Sequence, residues 1–329
     1  MTTPSPSAAR QGVLLGATAY LLWGAMPLFF PLLEPAGAFE IIAHRIVWSL
    51  VFCVVLLVAT RTTSQVAPVL RDRRLLGRLA VGAVLVAVNW TVYVWGVLHG
   101  HVLDAALGYF INPLVTIGLA VVVLRERLRP AQWVALGFGG VAVVVLTVGV
   151  GTFPWIAMSV AVSFGLYALV KNRTGAHVAA LPALAVETGV LAPLALAFLA
   201  VLAATGSGTF TTEGVGHALL LASCGVVTGL PLLLFGAAAR RVPLRVVGML
   251  QYLAPVLQFL VGLLVLHEPM PTARWVGFAL VWVALVILTA DALRAVQGAR
   301  LARRTTVGPE AAGTSRPAHP NPPEGDSHG

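Results

Sequence analysis

Three ionisable residues, Glu40, His44 and Arg45, stand together inside one apolar stretch. A charge at the centre of a bilayer costs ~2.5–3.5 kcal/mol on insertion scales, so such residues are functional candidates by default. Glu40 and His44 are four apart and share a helix face, with Arg45 one step round. The set offers a guanidinium for an anionic or polar solute group, with a carboxylate and an imidazole as proton carriers. The competing role is a self-neutralised cluster that locks its helix to the neighbours. All three fall in the outer third of the segment, where snorkelling lowers the cost. Glu187 is the only acid in another apolar segment. It is either a second proton-coupling carboxylate, alongside Glu40, or a charge paired with a neighbouring helix.

Amides and phenols supply the uncharged part of a candidate solute site. Asn89 and Tyr93 share a face beside Trp90, while Asp104, Gly108 and Asn112 recur at i, i+4 and i+8. Tyr109 and Asn112 precede Pro113, and Gln251 and Tyr252 precede Pro255, with Gln258, Ser163 and Tyr167 as further second-half polar residues. The expected solute-binding set is Arg45, His44, Asn89, Tyr93, Tyr109, Asn112, Gln251 and Tyr252. For the asparagines, a bond to a neighbouring helix is the alternative. Lys171 falls at the end of its segment and is expected to snorkel, and Trp95 sits where interface-anchoring aromatics concentrate. Pro113 and Pro255 each remove a backbone donor and clash one turn back, so each kinks its helix, as a hinge or as a static bend.

Other chemistries lack their signatures. His99 and His101 are two apart with only Asp104 nearby and no Cys, a poor metal pair. There is no G-x-x-x-x-G-K-[ST] loop for ATP-driven pumping and no H-E-x-x-H set for an enzyme acting on lipid. No catalytic residue, metal or cofactor is expected. Cys53 and Cys224 lie inside apolar runs and imply neither disulfide nor cluster. Glu126 and Glu268 sit at helix ends followed by new helices, which points to helix-start stabilisation.

These residues must be positioned by membrane helices. The chain has 329 residues, 58% hydrophobic and 10% charged, with mean hydropathy +0.91, which excludes an ordinary soluble domain. Charge-free runs such as Gln11 to Leu33, Leu79 to Leu98, Ala105 to Leu124, Ala218 to Ala239 and Val246 to Leu266 each match a crossing. The run Pro130 to Val170 is divided by Gly151-Thr152-Phe153-Pro154, and segments around 41–60, 178–203 and 275–293 complete about ten spans by the usual span length. A β-barrel is rejected because the runs are continuous rather than alternating. Net charge +9 reflects orientation, not a nucleic-acid partner. Arg71, Arg73, Arg74, Arg78, Arg125, Arg127, Arg129, Lys171, Arg173, Arg240, Arg241 and Arg245 fall in alternate connections, so both termini are expected in the cytoplasm.

The stretch from Pro113 to Thr147 recurs 142 residues later. Pro113 falls on Pro255, Glu126 on Glu268, Trp133 on Trp275 and Thr147 on Thr289, with Leu22-Trp23-Gly24 weakly echoed by Ser163-Phe164-Gly165. A repeat of five spans is odd, so its second copy enters the membrane from the other side. The expected fold is therefore all-α and integral to the membrane, ten transmembrane helices as two inverted five-helix repeats at 11–149 and 150–295. Residues 1–10 are expected as a cytoplasmic N-terminal segment and 296–329, from their composition, as a disordered cytoplasmic tail.

Several stretches resemble the drug/metabolite transporter superfamily with EamA-type repeats, and within it the RarD branch of chloramphenicol-sensitivity proteins. They are Glu40-Ile-Ile-Ala-His44-Arg45-Ile-Val-Trp48-Ser49, Asn89-Trp90-Thr91-Val92-Tyr93-Val94-Trp95, His99-Gly-His101, Leu107 to Leu114, Glu126 to Trp133 and Gln251-Tyr-Leu-Ala-Pro255. The resemblance covers about residues 11–295. It implies a bacterial inner-membrane permease, and it does not supply the solute. The function expected is a secondary-active or facilitative transporter of a small metabolite or drug-like solute by alternating access, proton-coupled or not. An integral-membrane enzyme, or a channel or scaffold, is the alternative. The expected partners are a small solute and the lipid bilayer, with no nucleic acid, in a monomer or homodimer.

Overall fold

Backbone polar groups have no water to bond in hydrocarbon, so a chain this apolar must satisfy them within helices. The computed structural model describes residues 6–125, 127–174 and 178–306, and these contain helices and no strand. In order they are α1 Pro6–Gly24, α2 Met26–Phe29, α3 Ala38–Ala59, α4 Val66–Arg71, α5 Arg73–Leu98, α6 Val102–Leu124 and α7 Pro130–Val150. There follow α8 Trp155–Thr174, α9 Ala180–Thr205, α10 Gly214–Ala239, α11 Leu244–Leu250, α12 Leu253–Leu260 and α13 Thr272–Thr306. Glu126, the first five residues and those from 307 onward lie outside the described residues, and with them the expectations for the Glu126 helix start and most of the tail. The described chain stays helical to Thr306, past the Gly298 region where the tail was expected to begin.

Among the described residues eight helices are long and apolar enough to cross a membrane, and a bent pair, Arg10–Gly24 with Met26–Leu33, makes a ninth if it is one span. The first span is thus broken by 44° rather than continuous. Pro27 sits in the first turn of α2, where its missing N–H costs nothing, and so restarts the helix in a new direction. The apolar stretch Trp155–Lys171 of α8 is shorter, at 17 residues or fewer. Local signals set the other ends. Asp72 accepts from the N–H groups of Arg74 (2.9 Å) and Leu75 (3.1 Å) to start α5, and Gly151, at φ 81°, ends α7 in a left-handed turn.

The exterior is oily. Val122, Val148, Leu194 and Val286 are each more than two-thirds exposed, which suits contact with lipid and not with water. Inside, α3 packs on α9 and α10, α5 on α8 and α9, α1 on α10 and α12, α6 on α8 and α12, and α7 on α13. Close approach depends on glycine: a Cβ on Gly225 would collide with the Trp48 backbone, and one on Gly229 with the Phe52 ring. That closeness brings α10 against the α3 segment carrying Arg45.

The two prolines act differently. Pro113 lies inside the continuous helix α6, whereas the second-half helix is divided, α11 ending at Leu250 and α12 beginning at Leu253. Pro255 stands in the first turn of α12 rather than mid-helix. It has no N–H for the Gln251 carbonyl one turn back, and the break falls at Gln251-Tyr252.

Candidate functional site

A cavity of about 600 Å³ occupies the middle of the bundle. It runs from Arg45, Tyr93 and Gln258 to Lys171, Val178 and Ala180, that is, to the α8–α9 connection. Counting helices, this is the end that also holds the arginine-rich connections before α5, after α6 and after α10. Aromatic rings make up much of the wall, among them Trp23, Trp90, Tyr93, Tyr109 and Phe164.

Arg45, 5% exposed, is fixed from three helices. Its Nε donates to Thr228 Oγ1 on α10 (2.8 Å), its Cζ lies 4.0 Å from the centre of the Trp90 ring on α5, and Phe30 is 5.8 Å away. Stacking on Trp90 is a cation–π contact, which suits a weakly hydrated guanidinium. No carboxylate among the described residues pairs with Arg45, and Thr228 is its one hydrogen-bond partner there.

Glu187 on α9 is 3% exposed and does have a counter-ion. Lys171 Nζ, on α8, lies 2.6 Å from its Oε1, and the Tyr167 hydroxyl donates to Oε2 at 3.4 Å. The lysine expected to snorkel is therefore turned inward to a buried acid.

The structure places the other sequence candidates as follows. Tyr93, Tyr109, Asn112, Gln251, Tyr252, Pro113 and Pro255 all border the cavity. Asn89 lies behind the wall, fully buried: its Nδ2 donates to the Val160 carbonyl (3.0 Å) and to Ser163 Oγ (3.2 Å), and its Oδ1 accepts from Tyr109 OH (3.1 Å). It holds Tyr109 in place and joins α5 to α8. Tyr93 stands edge-on to Tyr109 (5.6 Å) and beside Gln258, whose Nε2 donates to the Trp23 carbonyl (3.2 Å).

Glu40 and His44 are not in the cavity lining. Glu40 Oε1 accepts from the Thr209 N–H (2.7 Å) and hydroxyl (3.1 Å), and the same hydroxyl meets His217 Nε2 at 2.8 Å. His44 stacks on Phe210 at 4.7 Å, and neither ring nitrogen has a hydrogen-bond partner among the described residues. Both side chains therefore pin the α9–α10 connection at the end opposite the cavity mouth. Glu268 closes the same end by accepting from the backbone N–H groups of Val102 and Leu103 (2.9 Å for the latter). It does stabilise a helix start, but that of α6 rather than of the helix that follows it. Burial pushes its carboxyl above the ordinary carboxylate range, against the pull of those two N–H groups and of Arg274. Arg274 also reaches Asp104 Oδ2 (3.1 Å), which His101 contacts as well (3.1 Å). His99 and His101 both stack on Trp95.

Thr228 and Lys171 are the residues that sequence reasoning did not place in the site. A hydroxyl in a membrane helix ordinarily bonds back to its own turn, and nothing before the packing of α10 on α3 singles out Thr228. Lys171 offered only a weak signal, a cation at the end of the segment preceding the one that carries Glu187.

Fold and cavity together define a multi-spanning helical membrane protein with an internal, polar-studded chamber. The EamA-like transporter family matches residues 10–148 and again 154–290, so the chain belongs to that family. It is similar to protein RarD of Streptomyces exfoliatus, 53% identical over 88% of this chain and 92% of that one. It is also similar to protein RarD of Escherichia coli (39%, covering 86% and 95%) and to the chloramphenicol-sensitive protein RarD of Pseudomonas aeruginosa (32%, covering 86% and 95%). A solved crystal structure aligns with a TM-score of 0.55 at 22% identity, over 86% of this chain and 98% of that one, a likeness of fold alone. The protein is a multi-pass membrane transporter of a bacterial family.

Proposed function

We propose that the chain is an inner-membrane carrier working by alternating access, its ten spans arranged as two oppositely inserted five-helix halves around the solute cavity. The tenth span is the short apolar stretch of α8. The observation that carries this reading is the cavity lining itself. At the interval that separates Pro113 from Pro255, Arg45 corresponds to Glu187, Ile46 to Thr188, Val86 to Thr228, Trp90 to Leu232, Tyr109 to Gln251 and Asn112 to Ala254. Every one of these residues borders the cavity.

Helix packing gives independent support. If the halves are exchanged, α3 on α10 becomes α9 on α5, α1 on α10 becomes α8 on α5, and α1 on α12 becomes α8 on α6, and each pair is present. The correspondence reaches single residues: Gly24 meets Ala254 and Leu257, while Gly165 meets Asn112 and Val115. Two halves with equivalent packings provide two states of similar energy, one open to each side. The cavity reaches the basic end, so by the positive-inside rule this is the inward-open state with both termini cytoplasmic.

In this scheme Arg45 anchors the solute, Tyr93, Tyr109, Asn112, Gln251 and Tyr252 surround it, and Glu187 is the carboxylate for proton coupling. A chamber of this size suits a metabolite or drug-sized molecule. The test has two parts. Single cysteines at Val178 and Met270 should react with an impermeant maleimide from opposite sides, since Cys53 and Cys224 are buried. Purified protein in proteoliposomes should show saturable counterflow of a solute drawn from a metabolite and drug panel. Labelling of both positions from one side, or chemical conversion without movement, overturns the reading.

A further inference from the structure

Among the described residues three charged side chains border the cavity: Arg45, Lys171 and Glu187. Lys171 and Glu187 neutralise each other at 2.6 Å, which leaves one positive charge unmatched. The correspondence between halves shows where its partner is missing. Arg45 and Glu187 occupy equivalent positions, 142 residues apart, and spans one and six correspond at 141, as Trp23 and Gly24 do to Phe164 and Gly165. At that interval the equivalent of Lys171, the counter-ion of Glu187, is Phe30. Phe30 stands beside Arg45, 5.8 Å from the guanidinium, and is 1% exposed. One half of the cavity thus carries a charge with its counter-ion, and the other carries a charge with a phenyl ring in the counter-ion's place.

From this juxtaposition we infer that the solute itself is the missing counter-ion: a monoanionic organic molecule with a flat apolar body. Its acid group sits on the Nη edge of Arg45, and its body lies among Trp90, Tyr93, Tyr109 and Phe164. An arginine is always charged, and its planar fork binds a carboxylate through two parallel hydrogen bonds. Here Nε is spent on Thr228, which fixes the plane of the fork, and Trp90 covers one face. A second negative charge on the solute would have no partner among the described residues, because Lys171 is already engaged. The body fits because the wall is largely aromatic, and rings stack on rings or on apolar edges. This inference rests on the carrier reading and names the class of solute for the same cavity.

The experiment uses the full chain in lipid nanodiscs and titration calorimetry with benzoate, phenylacetate and 3-phenylpropionate. Each acid is compared with its amide, its amine counterpart and sodium chloride. At least one acid should bind about tenfold or more tighter than its amide, as expected when charge-assisted bonds replace neutral ones. Arg45→Met should erase that preference and Arg45→Lys should restore part of it. A variant that keeps the arginine provides the control for misfolding: Phe30→Glu supplies the counter-ion from within. Because Phe30 is itself buried, Phe30→Gln is made beside it to match the loss of packing, and Phe30→Glu should bind acids about tenfold or more weaker than Phe30→Gln does.

The inference is overturned if no acid binds, if an amide or amine binds as tightly as its acid, or if the preference survives Arg45→Met or Phe30→Glu. Chloride displacing the acids at equal concentration also overturns it, since a small ion would then suffice. Acid binding that depends on Arg45 without any counterflow would refute the carrier reading and leave the site intact. Counterflow of a neutral solute without acid preference would do the reverse.

Discussion

The separate costs of removing each partner of the Lys171–Glu187 pair should add to far more than the cost of removing both at once. The two side chains are 2.6 Å apart, with Glu187 4% and Lys171 34% accessible. Breaking a fully buried pair from one side costs about 3–5 kcal/mol, because an uncompensated charge is left behind. Lys171 keeps about a third of its surface, so solvent at the cavity mouth screens part of this, and about 1.5–3 kcal/mol is expected for Lys171→Met. Glu187→Gln retains an acceptor for the Tyr167 hydroxyl, which donates at 3.4 Å, and strands a lysine that can turn toward water; about 1–2 kcal/mol is expected. In the double variant neither charge remains and the two neutral side chains fill similar volume. Its cost should be about 1 kcal/mol, giving a coupling of roughly 2 kcal/mol. The assay is reversible unfolding in mixed detergent micelles, followed by circular dichroism, for the parent, both singles and the double. Singles that add to within about 0.5 kcal/mol of the double would show that the two groups do not interact in the folded protein. The assignment of Lys171 to the cavity would then be withdrawn.

Two further outcomes follow from the packing and from the closed end. Gly24→Ala should destabilise by about 1–3 kcal/mol, since its Cβ would lie 2.8 Å from Leu257 Cβ and 3.1 Å from the Ala254 carbonyl. Gly165→Ala should cost under about 1 kcal/mol, because its nearest neighbours, at 3.2 and 3.3 Å, are side-chain ends that can give way; equal losses in the melting curves would refute the close contact at Gly24. Glu268→Ala should cost about 2 kcal/mol by freeing two N–H groups at the start of α6, and Glu268→Gln roughly half as much. With its folded value raised above 4.5, Glu268 contributes stability that is present below 4.5 and lost as pH rises through the raised value. Relative to the parent, Glu268→Gln should therefore melt with a shallower fall over that window; parallel pH profiles would contradict the burial.

The spans were legible because hydrocarbon leaves few options: some twenty apolar residues without a charge fold as a helix or not at all. Arg45 stood out for the same reason, as a cation costly to bury in its segment, and it borders the cavity. What could not be read was which distant surfaces meet. Spacing put Glu40, His44 and Arg45 on nearly one face, yet Thr209 and Phe210, from a connection about 170 residues away, claim the first two. Lys171 stood near the end of a short helix, where snorkelling is the default, and only the placing of α9 beside α8 turns it to Glu187. Glu268 looked like the cap of the nearest helix, and its real partner is separated from it by 165 residues or more. The 142-residue repeat announced itself through Pro, Glu and Trp, but the alignment of Arg45 with Glu187 gains meaning only once both border one cavity.

That alignment bears on how a symmetric scaffold handles an asymmetric cargo. Alternating access, as proposed for this chain, asks that the two halves pack alike so that neither open state is much favoured, and the helix contacts that exchange between the halves are consistent with that demand. A solute has no such symmetry, so specificity has to enter where it does not disturb the packing. Replacing Glu187 and its Lys171 in one half by Arg45 and its Phe30 in the other does this with side chains alone. The polar pins at the ends divide in the same way. On the proposed two-half reading α7 and α13 correspond to each other, and they pack together, so their contact can persist in both states, with the Arg129–Asp291 pair at 2.8 Å tying one end of it. Glu268 on α6, Arg274 on Asp104 and Glu40 on Thr209 join elements at the other end of the cavity, and on the same reading they have to release for that end to open. Each is a charge-assisted contact worth about 1.5–3 kcal/mol, so the closed end needs an offsetting set of contacts at the basic end. On the proposed reading, an anionic solute on Arg45 would supply one of them by neutralising the charge that borders the cavity.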